Sequence, residues 1–460
     1  MDHPSSRYAR LSRADLSNLR LESASAPFHI GGLAIAEAAP LLDASGHLRL
    51  EEVADRLNRR LVRVPQLRRR VHRGGAFTGR PIWVDDDQFE ISAHIHELAI
   101  PAPGDDRQLL DLAAQAFAGL LDRRAARWEL SFLTGLNGGR IGVFLKVHHA
   151  IADGVAAVAI LRSLLDSRVD DREALAVPWT PQPPPHDGWL RRDALAAAGR
   201  GLSRSALRLS DPVPLLRSAG AITWGVGRAL LQERAPRTSL NFPVRPGRRV
   251  RFLRLDLPAV RGVARSAGGR INDVVLAVYS EGLRELLISR GEPVDGLVLR
   301  TSMPVSLRPG HRAEGLGNRV SLLVLPLPLR EAGIRRRLEL IADAGAKAGR
   351  ERPVPIQAAC GSLAATPLAQ HLIARQRMVN VFSTNVAGPP SHVYLLGARV
   401  LAILPIVQVA GNVGISLCAI TYAGSLHLVV TADAAGFPDI DVPAGGVARG
   451  WHELIDLAAM

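Results

Sequence analysis

At 460 residues, 47% of them hydrophobic and 22% charged, the chain holds enough apolar material for two or three domain cores, which excludes a disordered protein. Its formal charge of +14 comes almost wholly from arginine, because Lys146 and Lys347 are the only lysines. A positive surface suits nucleic acid, anionic membrane or an acidic ligand. Nucleic acid is the least suited of the three: aromatics make up 4% of the chain, and no zinc finger, basic zipper or aromatic RNA-binding motif occurs.

The N-terminus, MDHPSSRYARLSRADL, is polar and charged where an export signal needs an apolar run. Cys360 and Cys418 lie far apart, without metal or redox spacing. Both features predict a cytoplasmic, reducing home. Residues 51–71, EEVADRLNRRLVRVPQLRRRV, begin as an amphipathic helix that stops near Pro65. Residues 140–150, RIGVFLKVHHA, alternate as a strand, and residues 154–167 follow as a largely apolar helix whose first turn comes after Asp153.

Composition then breaks at VPWTPQPPPHDGW (177–189), a proline-rich linker. From Leu190 to Leu209, Leu195, Leu202 and Leu209 recur every seven residues while Arg200, Arg204 and Arg208 recur every four. At about 100° per residue these sets point to opposite sides of a helix, which either packs on its own domain or lies on anionic lipid.

A second block opens with the alternating strand 249–257 and a helix over 271–291, capped near Asn272 or Asp273 and stopped at Gly291. Further strands are expected at 319–329 and 378–390, and a closing helix at 446–459. Val400–Ala432 carries no Asp, Glu, Lys or Arg, but Pro405, Gly411, Asn412 and Gly414 divide it into strand-length runs, so it predicts buried strands rather than a membrane helix. The fold class is α/β (α+β), with domains at 1–180 and 246–460 joined by a linker and basic helical segment at 181–245.

The chemistry concentrates in LKVHHAIADGV, residues 145–155. On a strand, His148 and His149 point to opposite faces, so only one reaches a given cleft and a metal site built from both is awkward. His94 and His96, spaced i, i+2, suit a metal better, but no Cys or carboxylate cluster joins them, and no metal is expected. The stronger unit is His149-Ala-Ile-Ala-Asp153-Gly154. A histidine at a strand end, with an ordinary pKa of about 6.5, suits a general base at neutral pH. Asp153 either orients the imidazole and its loop or caps the next helix. Spacing alone leaves catalysis and a satisfied strand–helix turn equally open. No serine elbow, phosphate loop or paired carboxylate competes, and WGVGRAL (224–230) and GLGN (315–318) are incomplete glycine patterns.

HHAIADG matches the HHxxxDG motif of CoA-dependent acyltransferases, which peptide-synthetase condensation domains also carry. Along nearly its whole length the chain resembles the bacterial wax ester synthase/acyl-CoA:diacylglycerol acyltransferase family, especially its actinobacterial triacylglycerol synthases. The supporting stretches come in the family's order: LSRADLSNLRLES (11–23) with PFHIGGLAI (27–35), RLVRVPQLRRRV (60–71), PIWVDDDQFEISAHI (81–95), RWEL (127–130), SLNFP (239–243), INDVVLAV (271–278), PVSLRP (304–309), LGNRVS (316–321) and STNVAGPP (383–390).

The resemblance implies a two-domain fold like chloramphenicol acetyltransferase, with the active site at the domain interface and acyl-CoA and acceptor arriving from opposite sides. It assigns His149 as the catalytic base, Asp153 as mainly structural and His148 as a supporting neighbour. It also implies an arginine partner for Asp153, with Arg68 the candidate and Arg308 and Arg319 in similar motifs. Asn272, Asn385 and Gly154 become candidates for shaping or contacting the substrate site, Asn272 being equally well read as a helix cap, while Trp83 and Trp128 read as core. Acyl-CoA is a co-substrate, and no cofactor is implied. The acceptor is diacylglycerol or, alternatively, a fatty alcohol, met at a membrane or lipid-droplet surface. A carrier-protein-dependent transferase and a non-catalytic lipid-droplet protein are the rival readings. Three departures stand out: TNVAGP for the frequent SNVPGP, Ser416 where an Asn is usual, and ARWEL for PLWEL.

Overall fold

The computed structural model describes residues 8–152, 154–169, 179–209, 234–306, 320–350 and 375–459. In the first half, helix α1 (Arg13–Leu21) starts at Ser12, whose hydroxyl accepts the Asp15 amide while the Asp15 carboxylate accepts the Ser12 amide. Strand β1 (His29–Glu37), helix α2 (Leu50–Arg60) and the hairpin strands β2 (Arg69–His72) and β3 (Ile82–Asp85) follow. As the sequence predicts, α2 gives way to short 3-10 turns around Pro65.

Strand β4 (Ile95–Ala99), helix α3 (Asp106–Ala118), strands β5 (Trp128–Leu136) and β6 (Arg140–His148), and helix α4 (Gly154–Leu164) complete this half. Strand β6 is buried at every residue but the first. Ile141, Val143, Leu145 and Val147 face α2 and α4, and Phe144 faces α3. This two-sided burial explains why its sequence reads as a nearly continuous apolar run.

Helix α5 (Asp187–Leu209) joins the halves and docks its first turns on the β2–β3 hairpin: Leu190 packs with Ile82 and Val84, and Asp193 pairs with Arg10 at 2.7 Å. The second half runs through β7 (Arg248–Asp256), α6 (Leu257–Ser266), α7 (Ile271–Ser289), β8 (Leu299–Ser306), β9 (Val320–Leu327), α8 (Ile334–Arg350) and β10 (Val381–Ala387). It continues through β11 (Tyr394–Leu395), β12 (Ala398–Ile406), β13 (Ile415–Tyr422), β14 (Ser425–Asp433) and α9 (Asp441–Ala459).

The uncharged stretch supplies β12, β13 and β14, as expected, and among the described residues no helix is long and apolar enough to cross a membrane.

Two six-stranded sheets result, ordered β11-β12-β1-β6-β5-β4 and β7-β14-β13-β10-β8-β9. Strands β11 and β12 belong to the second half of the chain but lie in the first sheet, where β12 pairs antiparallel with β1. This crossover stitches the halves together. Leu33, Ile35, Leu404 and Ile406 of the first sheet then share a core with Val250 and Val429 of the second. Arg251 on β7 spans the same seam, reaching Asp111 on α3 at 3.1 Å and Asp441 on α9 at 2.6 Å.

Candidate active site

The two histidines separate as strand geometry requires. His148, the last residue of β6, is fully buried, whereas His149 opens the following turn and is half-buried. Three backbone links fix that turn: the His149 amide donates to the Phe28 carbonyl at 2.8 Å, the Ile151 amide to the His148 carbonyl at 2.9 Å, and the Asn18 side-chain amide to the His149 carbonyl at 3.2 Å. The Phe28 ring lies 6.5 Å from the imidazole. Two residues before Phe28, Ala26 packs with Val244 and Val409 of the second half, and Arg248 donates to the Ser25 carbonyl at 2.9 Å. The segment to which His149 is bonded therefore reaches the seam between the two halves.

Behind it lies a polar cluster that sequence reasoning did not single out. Register places His29 opposite His148 across β1 and β6. Glu22 Oε1 lies 3.2 Å from Nε2 of both histidines, and Arg127 approaches Glu22 Oε2 at 3.4 Å. All four side chains are buried.

The His148 tautomer follows from its contacts. Nδ1 accepts the Ala150 amide at 2.9 Å, so the ring proton resides on Nε2, facing Glu22. Burial pushes the His148 pKa down to about 4 against the opposing pull of Glu22, keeping the ring neutral. For Glu22 burial works against the charge, but hydrogen bonding to His148 and His29 outweighs it and holds the carboxyl well below the usual range. The signal was present in LRLES and PFHIGG. What the sequence lacks is the pairing that brings residues 22, 29, 127 and 148 together.

Asp153 lies outside the described residues, as do Arg308 and Arg319. Gly154 is the first residue of α4. The pairing expected of Arg68 is with Asp153, outside the described residues; among those described, no carboxylate pairs with Arg68. Its guanidinium instead donates to the Asn58 backbone and side-chain oxygens, both at 2.8 Å, and lies over Trp179 at 4.9 Å and Phe89 at 5.9 Å. Stacking and neutral oxygens are the described surroundings of this guanidinium.

His94 likewise belongs to an aromatic stack, between Phe89 (5.0 Å) and Trp128 (4.8 Å), with Nδ1 2.9 Å from the Trp128 carbonyl. Trp128 is core, donating from Nε1 to the Leu67 carbonyl, and Trp83 packs half-buried with Leu11 and Leu19. No group of three or more metal-ligating side chains occurs among the described residues.

Asn272 is not a cap. Helix α7 starts one residue earlier, with Arg270 in the capping position and the Asp273 carboxylate accepting the Arg270 amide at 2.7 Å. Asn272 lies half-buried in the first turn. Asn385 is half-buried on β10, in register with Ala419 of β13. Ser416 donates to the Gln408 carbonyl at 2.5 Å, so the smaller residue at this position closes on backbone. Cys418 is buried and its thiol pKa is pushed up by burial, which removes it as a nucleophile.

The two-sheet architecture is that of a two-lobed acyltransferase and condensation-domain fold. A wax ester synthase/diacylglycerol acyltransferase from Marinobacter aquaeolei VT8 aligns with a TM-score of 0.72 at 21% identity, covering 98% of this chain and 100% of that one. The first condensation domain of the calcium-dependent antibiotic synthetase aligns at 0.60 and 17% identity, covering 99% and 97%.

Residues 11–275 match the wax ester synthase/diacylglycerol acyltransferase catalytic domain, and residues 316–453 the C-terminal domain of the same family. A probable diacylglycerol O-acyltransferase of Mycobacterium tuberculosis, tgs1, is 32% identical over 394 residues, 82% of this chain and 81% of that protein. The chain belongs to the wax ester synthase/diacylglycerol acyltransferase family.

Proposed function

We propose that this protein transfers a long-chain acyl group from acyl-CoA to diacylglycerol, forming triacylglycerol, with His149 as general base. The observation that carries the reading is the placement of His149: half-buried on a turn held by three hydrogen bonds, beside a segment that reaches the seam with the second half, within a chain of this family. Such a seam lets donor and acceptor enter from different sides and meet at one imidazole. Holding both reactants converts a bimolecular encounter into an intramolecular step.

The reaction needs no covalent enzyme intermediate. Neutral His149 removes the acceptor hydroxyl proton as that oxygen attacks the thioester carbonyl. The tetrahedral adduct then collapses, the carbon–sulfur bond breaks, and the imidazolium returns its proton to the leaving thiolate. An ester and free CoA result, and His149 is neutral again. Asp153 is assigned to loop support on family resemblance, and His148 with Glu22 forms the rigid backing that fixes where His149 begins. Asn272 and Asn385 are assigned to the substrate channel on family resemblance.

Acyl-CoA and the acceptor differ in solubility, so the enzyme works at a lipid surface on the cytoplasmic side, held peripherally by its basic helix α5. The first turns of that helix pack on the β2–β3 hairpin, while Leu195 beside them is 72% exposed, which supports a lipid contact from the helix's exposed side. Purified protein given labelled acyl-CoA with a panel of acceptors tests the assignment. Triacylglycerol from diacylglycerol is the expected dominant product; ester formed only from fatty alcohols would make it a wax ester synthase instead.

A further inference from the structure

Only two large apolar side chains among the described residues are more than 60% exposed: Phe77 at 90% and Leu195 at 72%. They come from elements that touch. The loop joining β2 to β3 runs along the first turns of α5. The Gly75 amide donates to Asp187 at 3.0 Å, Arg191 Nε donates to the Ala76 carbonyl at 3.1 Å, and a Cβ on Gly79 would meet Ala194 at 3.1 Å. Arg191 and Leu195, four apart, share the helix face that meets this loop. Phe77 and Leu195 are thus carried by two elements that pack on each other.

Phe77 is also held, not dangling. Thr78 donates to the Gly75 carbonyl at 2.7 Å, and Arg10 donates to the carbonyls of Thr78 and Arg80 at 2.9 and 2.6 Å. The backbone at Phe77 has φ +64°, in the left-handed region that favours glycine. A bulky aromatic kept in that conformation and exposed to water contributes little to the fold that presents it. The same hairpin and the first turns of α5 carry the exposed basic side chains Arg73, Arg80, Arg191 and Arg192, and Asp193 among them is already paired with Arg10. Exposed apolar side chains on elements rich in exposed arginine match the chemistry of an anionic lipid surface: aromatic and aliphatic side chains below the headgroups, guanidinium groups among the phosphates.

We propose that Phe77 and Leu195 form a two-point anchor that inserts into an anionic lipid surface and seats the enzyme on it. The inference rests on the lipid-surface reading above and adds the loop between β2 and β3 to the basic helix. The full chain is mixed with phosphatidylcholine vesicles containing phosphatidylglycerol, and with phosphatidylcholine alone, and the floated fraction is measured.

Wild type is expected to float with the anionic vesicles. Phe77→Gly, which relieves the backbone while removing the ring, and Leu195→Ser should each weaken partitioning about tenfold, the scale expected for losing one buried apolar side chain. Both variants should keep wild-type turnover on a short-chain, water-soluble acceptor and lose it on vesicle-borne diacylglycerol. Wild type and variants floating equally would overturn the anchor while leaving the lipid-surface reading standing. Failure of wild type to float at all would overturn both.

Discussion

Acidification should loosen this protein through His148 before it touches any carboxylate. The unfolded chain takes up a proton on this imidazole near its ordinary value of 6.5, whereas burial pushes the folded value down to about 4. At about 1.4 kcal/mol per pH unit, about 3 kcal/mol of stability depends on the ring staying neutral. That stability is fully present above about pH 6.5, falls as pH drops through the window, and is gone below about pH 4. His427, buried on β14 with Nδ1 2.9 Å from the Ile403 carbonyl, is also pushed down by burial to about 4 and adds a similar amount over the same range. Glu22, with its folded pKa lowered, keeps its contribution until below about pH 4.5. The perturbation is His148→Asn, whose side-chain oxygen can still accept the Ala150 amide but does not titrate. Urea midpoints from pH 7.5 down to about pH 4.5 should fall steeply in wild type and by about half as much in the variant. Equal slopes in the two proteins would refute the assignment of a neutral, buried His148.

Glu22→Gln leaves Arg127 buried beside two histidines without its counter-charge, and should cost about 3–5 kcal/mol with a loss of turnover; urea unfolding checks it, and a cost below about 1 kcal/mol would contradict the cluster. Arg60→Ala removes a buried guanidinium that holds Asp166 at 2.6 Å and the Leu164 carbonyl at the end of α4. It should cost a similar amount, while the double variant with Asp166→Ala should cost less than the two single changes added together. Gly282→Ala places a methyl group 2.4 Å from the Pro443 carbonyl oxygen and 2.9 Å from Val447 Cγ2 where α7 crosses α9; a loss of at least about 2 kcal/mol in thermal unfolding is expected, with vesicle binding unchanged.

Much of the fold was legible because its signals are local. Proline stops α2, alternation marks β6 and β7, and Pro405 with Gly411 and Gly414 divides the uncharged stretch into strands. The separation of His148 from His149 needed only the two-residue period of a strand. What could not be read is what depends on distant pairing. Nothing in residues 398–406 says that they join β1 rather than their own half, and without that pairing the shared core around Leu33, Leu404 and Val250 has no sequence signature. Glu22 stood in a recognised stretch, but its role comes from the His29–His148 register. The Phe89 and Trp179 rings over which the Arg68 guanidinium lies are brought there only by folding.

The most direct test of the account is His149→Ala assayed with labelled acyl-CoA and diacylglycerol, alongside circular dichroism and vesicle flotation as measures of an intact fold. Removing the base should lower triacylglycerol formation by about a hundredfold to ten-thousandfold, with both structural measures unchanged. Triacylglycerol formed at the wild-type rate by a folded His149→Ala protein would contradict the proposed mechanism.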